Sequence, residues 1–239
     1  MISFIIPTLN ESSVIRKLLD NLRHYSAPHE VIISDGRSTD GTIDIARESG
    51  ASVVVYEGTA RQTIGDGRNL GAAQARGDFL LFMDSDVTVP DPDMFFASAL
   101  QEFTRDPKLV GITVRISVSP ELAQRGDGFL TWFISTVNYL QNNILGVGAA
   151  SGEFQLVRAD AFKKAGGYNA SLAAGEDYEF FRRLSKLGHT RYVGDLTVYH
   201  TGRRAHKTGW FRLWMTWNIN AIKVFFLGSS ASREWKEVR

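Results

Sequence analysis

Phe79-Leu80-Leu81-Phe82-Met83-Asp84-Ser85-Asp86 is the stretch on which the rest of the chain turns. Five consecutive apolar residues, Phe79 to Met83, predict a buried strand. The run ends abruptly in two carboxylates separated by one serine. Continued extended geometry would put Asp84 and Asp86 on one side, whereas a turn would reorient either. Withdrawing two anions from water together costs several kcal/mol unless a cation pairs with them. A divalent metal, Mg²⁺ or Mn²⁺, suits that role, because Mg²⁺ takes oxygen ligands and is commonly shared between one or two carboxylates and a phosphate. Two readings stand on this segment alone. One is a metal–diphosphate site at the C-terminal end of a central strand; the other is a polar loop with a helix-capping aspartate.

The flanking sequence extends the pattern. Ser3 to Ile6 is a first strand, followed by Pro7-Thr8-Leu9-Asn10-Glu11 and a helix carrying Val14, Leu18, Leu19 and Leu22, capped by Ser12 or Ser13. Val31 to Ser34 is a second strand and runs into Asp35-Gly36-Arg37-Ser38-Thr39-Asp40-Gly41-Thr42, a turn-rich, helix-capping stretch. A helix to Ser49 stops at Gly50, and Ala51 to Tyr56 is a third strand. This alternation predicts a parallel sheet with right-handed crossovers. Ligands of such sheets sit at the carboxyl ends of strands. Thr8, Glu11, Asp35 and Asp84 to Asp86 all fall just past predicted strand ends, so they are expected to converge on one crevice. Between strand three and the acidic strand, Asn69 to Ala75 predicts a helix packed through small residues, with Gly65 and Gly67 loosening the loop before it. Arg68, just ahead of that helix, is placed to reach a phosphate or to lie solvated at the surface.

Composition narrows the classes. The 239 residues are 44% hydrophobic and 22% charged, which suits one larger globular domain or one domain with an appendage. Lys+Arg 27 against Asp+Glu 26 leaves no global field for nucleic acid. The absence of cysteine excludes a disulfide framework, a thiolate metal site and a cysteine nucleophile. Ile2 to Ile6 reads as a strand with no basic leader region, so the expected location is cytoplasmic.

In order, P-T-L-N-E, S-D-G-R-S-T-D-G-T and G-R-N-L-G-A-A-Q-A-R-G-D-F-L-L-F-M-D-S-D resemble the family 2 glycosyltransferases, which have a GT-A fold. The resemblance is strong over residues 2 to about 110. Ser34 and Arg37 depart from the usual D-D-G-S-T-D-G-T, a departure that bears on the nucleobase rather than on the fold. The resemblance implies a nucleotide-diphospho-sugar donor. Thr8 and Glu11, with Pro7 beside them, would line the nucleoside pocket and Asp35 would contact the base. Asp84, with Ser85, would approach the ribose or the metal, and Asp86 would hold the divalent ion against the diphosphate.

The later landmarks follow the same family order. Val110 to Val118 predicts a strand, Ser151 to Arg158 a strand entering a helix, and Gly166-Gly167-Tyr168 its stop. Gly175-Glu176-Asp177 then opens a helix whose acidic first turn suits the helix dipole. In the family an E-D pair here supplies the catalytic base, which favours Asp177, with Glu176 orienting the acceptor hydroxyl. His200 follows the last predicted strand and resembles a third metal ligand beside Asp86. Arg203, Arg204 and Lys207 would cover the diphosphate or meet anionic lipid headgroups.

Two aromatic-rich stretches stand apart. Phe129, Trp132, Phe133, Val137, Leu140, Ile144 and Val147 share one helical face, for which packing on the chain's own core is the leading expectation and membrane-surface or acceptor contact the other. Trp210, Trp214 and Trp217, with Phe211, Ile222, Phe225 and Phe226, form a terminal apolar helix, suited equally to a bilayer surface or to protein contact, on another subunit or on the helix at 129–147. Its clean run between Arg212 and Lys223 is too short to span a membrane. The expected architecture is therefore an α/β, Rossmann-related, mostly parallel mixed sheet flanked by helices. Residues 1–209 form the GT-A-like domain, with a nucleotide half to about 110 and an acceptor half to 209. Residues 210–239 form an apolar helix and a loosely held polar tail. The expected reaction is metal-assisted sugar transfer with inversion to a glycan or lipid-linked acceptor, in the cytoplasm or at the inner face of a membrane. A sugar-phosphate nucleotidyltransferase and a non-catalytic nucleotide-sugar-binding module are the alternatives.

Overall fold

The structure, a computed structural model, describes residues 1–227, 229, 230 and 232. Apart from those three serines, the tail from Gly228 onward lies outside the described residues, as do the side chains of Phe211, Ile222, Phe225 and Phe226. Seven strands form one sheet: β1 (Ile2–Thr8), β2 (His29–Asp35), β3 (Ser52–Val55), β4 (Phe79–Met83), β5 (Leu109–Val118), β6 (Phe154–Arg158) and β7 (His189–His200). Their order is β3-β2-β1-β4-β6-β5-β7. Only β6 runs against its neighbours β4 and β5; the other pairings are parallel. The mixed, mostly parallel GT-A-like sheet expected from sequence is therefore present.

β1 and β4 are near-continuous apolar runs because both faces of the sheet are covered. Alternate residues go to opposite sides. Phe4 and Ile6 face α1 (Ile15–Leu22) and α4 (Pro92–Arg105), where Leu18, Phe95 and Phe96 are buried. Ile5, Leu80 and Phe82 face the other side, with Phe162 of α6 (Ala159–Ala165) and Phe180, Phe181 and Leu184 of α7 (Glu176–Leu184). The remaining helices are α2 (Thr42–Glu48), α3 (Ile64–Gln74), α5 (Asp127–Tyr139), α8 (Arg203–Thr208) and α9 (Trp210–Leu227). A π-helical turn, Leu140–Ile144, extends α5.

Three expectations need correction. Neither Ser12 nor Ser13 caps α1; the backbone carbonyl of Glu11 receives the N–H groups of Val14 and Ile15 instead. α3 begins at Ile64, so Gly65, Gly67 and Arg68 lie within it. The glycines serve close packing rather than a loose loop: a Cβ at Gly71 would fall 2.6 Å from Ile5 Cγ2, and one at Gly67 3.2 Å from Pro7 Cβ. Thirdly, the apolar face of α5 does not enter the core. Phe129, Trp132, Leu140 and Ile144 are exposed, whereas Asp127, Asn138 and Asn142 are buried.

Candidate active site

The chain runs outward from β1 through β2 to β3, then returns to place β4 on the other side of β1. The carboxyl ends of β1 and β4 thus flank a topological switch point, where open α/β sheets bind ligands. A cavity of ≈ 620 Å³ lies there. Pro7, Thr8 and Glu11 enter it from the end of β1, and Asp84, Ser85 and Asp86 from the end of β4. Arg68 comes from α3, Glu176 and Asp177 from the start of α7, His200 from the end of β7, and Arg203 and Arg204 from α8.

Two expected residues, Asp35 and Lys207, do not line the cavity; Lys207 lies on α8 beyond Arg203 and Arg204, and Asp35 stays in the fold. Asp35 is wholly buried. Its carboxylate accepts from Thr8 Oγ1 at 2.8 Å, Ser38 N at 2.6 Å and Ser38 Oγ at 2.7 Å. These bonds tie the end of β2 to the end of β1 and leave Gly36 on the cavity wall in its place. Arg37 adopts a left-handed backbone, φ 72°, and its guanidinium lies 6.0 Å from the Tyr56 ring centroid.

Arg68 is the hub of the site. Its side chain is 1% exposed, although arginine is rarely withdrawn from water without partners. Its Nη1 donates to Glu176 Oε1 at 2.7 Å, and its Nη2 to Asp84 Oδ1 at 3.4 Å and to the Gly152 carbonyl at 3.2 Å. The guanidinium carbon lies 5.2 Å from the Tyr168 ring centroid. Tyr168 in turn donates its hydroxyl to Gln155 Oε1. One cation therefore links the acidic end of β4, the loop before β6 and the first turn of α7. A side chain at position 152 would interfere, because its Cβ would sit 2.5 Å from Arg68 Nη2.

Carboxylates crowd the floor of the cavity. Burial, and then the charge of Glu176, push Asp177 up to about 8, with Arg68 pulling the other way. Burial and the charge of Asp84 push Glu153 up to about 7. A carboxyl poised near neutrality can take a proton from a hydroxyl more effectively than an ordinary surface aspartate.

Elsewhere on the cavity wall, Arg203 Nη2 donates to Glu11 at 2.7 Å, and its Nε lies 3.5 Å from Asp86 Oδ2. Burial raises the Glu11 pKa despite that arginine. Thr201 also donates its hydroxyl to Asp86. These contacts follow from a short antiparallel bridge between Thr88 and Tyr199, which pins the segment after Asp86 to the end of β7. His200 is pushed down by burial, and its Nδ1 accepts from the Gly202 N–H at 3.4 Å. Among the described residues no three His, Asp or Glu side chains are grouped to hold a metal. The set Asp84, Asp86 and His200 is thus not assembled into a cage, because Asp86 is turned toward Thr201 and Arg203.

Several residues were not legible as site residues. Glu153 reads as part of the strand predicted from Ser151 to Arg158, whereas β6 starts one residue after it, and Tyr168 reads as the aromatic after a glycine pair. Thr201 is only one more polar residue after a strand. The apolar wall formed by Ile134 of α5 and by Trp210, Leu213 and Trp217 of α9 also lines the cavity. The tryptophan spacing was visible, but its destination was not.

The pattern described as glycosyl transferase family 2 matches residues 3–166, more than half of the chain. A succinoglycan biosynthesis protein of Rhizobium meliloti is 32% identical over 216 residues, covering 82% of this chain and 62% of its own length. The chain thus spans about three fifths of that relative. A mannosyltransferase from Pyrobaculum calidifontis, solved with GDP-Man and Mn²⁺, superposes with a TM-score of 0.70 at 19% identity, covering 92% of this chain and 61% of that one. Glucosyl-3-phosphoglycerate synthase of Mycobacterium tuberculosis gives 0.61 at 22% identity, over 97% of this chain and 81% of that one. The structural matches show a shared fold. With the sequence match running from β1 through the acidic end of β4 to α6, the chain belongs to glycosyl transferase family 2.

Proposed function

We propose that the chain transfers a sugar from a nucleotide-diphospho-sugar to an acceptor hydroxyl, with inversion at the anomeric carbon. One observation carries this reading: a single guanidinium, Arg68, holds Asp84 of the donor side and Glu176 of the acceptor side in one cavity. Donor and base would then share one cavity.

Asp84 and Asp86 fit a divalent ion. Both are hard oxygen donors on the cavity wall, and Mg²⁺ characteristically takes one or two carboxylates and completes its shell with substrate phosphates and water. His200, kept neutral by burial, is a further candidate ligand. When bound, the ion would offset charge on the departing diphosphate. Arg203 and Arg204 face the same space and would supply positive charge to the same group. Thr8 and Glu11 would border the nucleoside, with Gly36 rather than Asp35 at the base.

The chemistry is one displacement. The acceptor oxygen bonds to the anomeric carbon while the bond from that carbon to the diphosphate oxygen breaks and its electron pair stays with the diphosphate. Asp177 takes the acceptor proton. Glu176, held by Arg68, orients the acceptor. Asp177→Asn is expected to lower turnover by about 10² to 10⁴ while donor binding persists. Undiminished turnover in that variant would remove Asp177 from the role. Donor binding is read by thermal unfolding with a panel of nucleotide-sugars. A ligand at 100 times its Kd stabilises by about 2.7 kcal/mol. The expected result is a shift that needs Mg²⁺ or Mn²⁺ and disappears in Asp86→Ala. No shift with any nucleotide-sugar, with or without metal, would overturn the reading.

A further inference from the structure

α5 and its π-helical extension are inside out relative to an ordinary surface helix. Phe129 is 66% exposed, Trp132 61% and Ile144 62%, while Asp127, Asn138 and Asn142 are turned inward and buried. Two of these inward side chains, Asp127 and Asn142, are engaged in hydrogen bonds. Asp127 accepts from His206, Trp210 and the Gln124 N–H. Asn142 donates to the Asn138 and Ala149 carbonyls and accepts from the Ala149 N–H. Among the described residues the outward apolar face has no such account, and contiguous patches of this kind mark interaction surfaces.

We infer that this face seats on an anionic phospholipid bilayer. Charge selects that occupant. No acidic residue occurs from Gly128 to Gly152, nor from Leu196 to Ser232, and the second segment carries five Lys or Arg. Arg125 precedes α5 and is exposed. On α9 the exposed residues Arg212, Met215, Ile219 and Lys223 follow one another at helical spacing, an apolar centre with cationic ends. Aromatic rings flanked by basic residues suit the headgroup boundary. None of the described helices is long and apolar enough to cross a membrane, so the contact is made at the surface. The face is continuous with the cavity. Thr131 and Ile134 of α5 line the cavity while Trp132 and Phe133 of the same turns point outward, so the cavity opens beside the lipid.

The test is flotation of the whole chain with vesicles of phosphatidylcholine alone or mixed with phosphatidylglycerol. It reads binding, not transfer, so it stands or falls apart from the reaction proposed above. Binding is expected to the mixed vesicles, to weaken with added salt, and to be far weaker on phosphatidylcholine alone. Arg212→Gln should lower the partition constant about fivefold. Trp132→Gln with Ile144→Gln should lower it roughly tenfold or more. Both positions are exposed, and unchanged thermal unfolding of the variants confirms that they fold. Absent binding, or binding indifferent to lipid charge and to both variants, would overturn the inference. So would a concentration-dependent dimer, dispersed by the paired substitution, in a chain that ignores vesicles; the occupant would then be a second copy.

Discussion

Helices α3 and α5 depart from the usual amphipathic arrangement in opposite directions. α3 has almost no apolar stripe, yet it is pressed against the sheet through Gly67 and Gly71 and against residues 168–170 through Gly65, and it buries a charged side chain, Arg68. α5 is rich in large apolar side chains, yet it turns most of them outward and buries Asp127 and Asn138. The contrast separates two uses of a helix. α3 uses its lack of bulk to bring a cation within reach of carboxylates from two other elements. α5 keeps its place through hydrogen bonds and leaves its bulk for something outside the chain.

The contrast can be broken first at Arg68. Arg68→Met would leave Glu176 buried without its cation, and breaking a buried pair from one side typically costs about 3–5 kcal/mol. Chemical denaturation should show that loss. Adding Glu176→Gln should recover much of it, since the unpaired charge is then gone; no recovery would show that Arg68 acts mainly by filling space. The matching test on α5 is Asn142→Ala, which strands polar groups at buried Ala149 and should cost about 1–3 kcal/mol. Trp132→Gln, one of the largest residues of the same helix, should cost under about 0.5 kcal/mol because it is exposed. A Trp132 variant as damaging as Asn142→Ala would mean that the apolar face supports the fold after all.

A separate test concerns pH. Asp177 and Glu153 have pKa values raised by folding, to about 8 and about 7. In the unfolded chain they return to ordinary carboxylate values. Their contribution to stability is therefore complete below about pH 4 and is lost as pH rises through their folded values, so the unfolding midpoint should decline toward pH 8. Glu153→Gln should flatten that decline. A midpoint that climbs steadily over the same interval would contradict the electrostatics of the cavity floor.

Much of the fold was legible. The apolar run to Met83, the strand–helix alternation from Ile2 to Tyr56 and the glycine stops at Gly50 and Gly166 each express local steric and burial rules, and the structure follows them. The convergence of polar strand ends was legible too, because parallel strands deliver their carboxyl ends to one edge. The direction of each polar side chain was not. Asp35 and Asp86 look equivalent in sequence, one after a strand and one just past a strand end. Asp35 is consumed by Ser38 and Thr8, whereas Asp86 faces the cavity. Arg68 was placed before its helix because glycines at 65 and 67 read as loop, when Gly67 lets the helix approach β1 and Gly65 lets it approach residues 168–170.

By itself the sequence determined the class of fold, the order of its elements, the family and the set of residue types available to the site. Those depend on interactions between residues close along the chain, or on motifs that a short segment carries whole. Only the tertiary structure decided that Arg68 joins Glu176, 108 positions away, to Asp84. Only it decided that Asp35 serves the fold, and that α5 buries its polar side. Periodicity states which residues share a face; what that face meets depends on elements distant in sequence, and their packing selects the side that is covered.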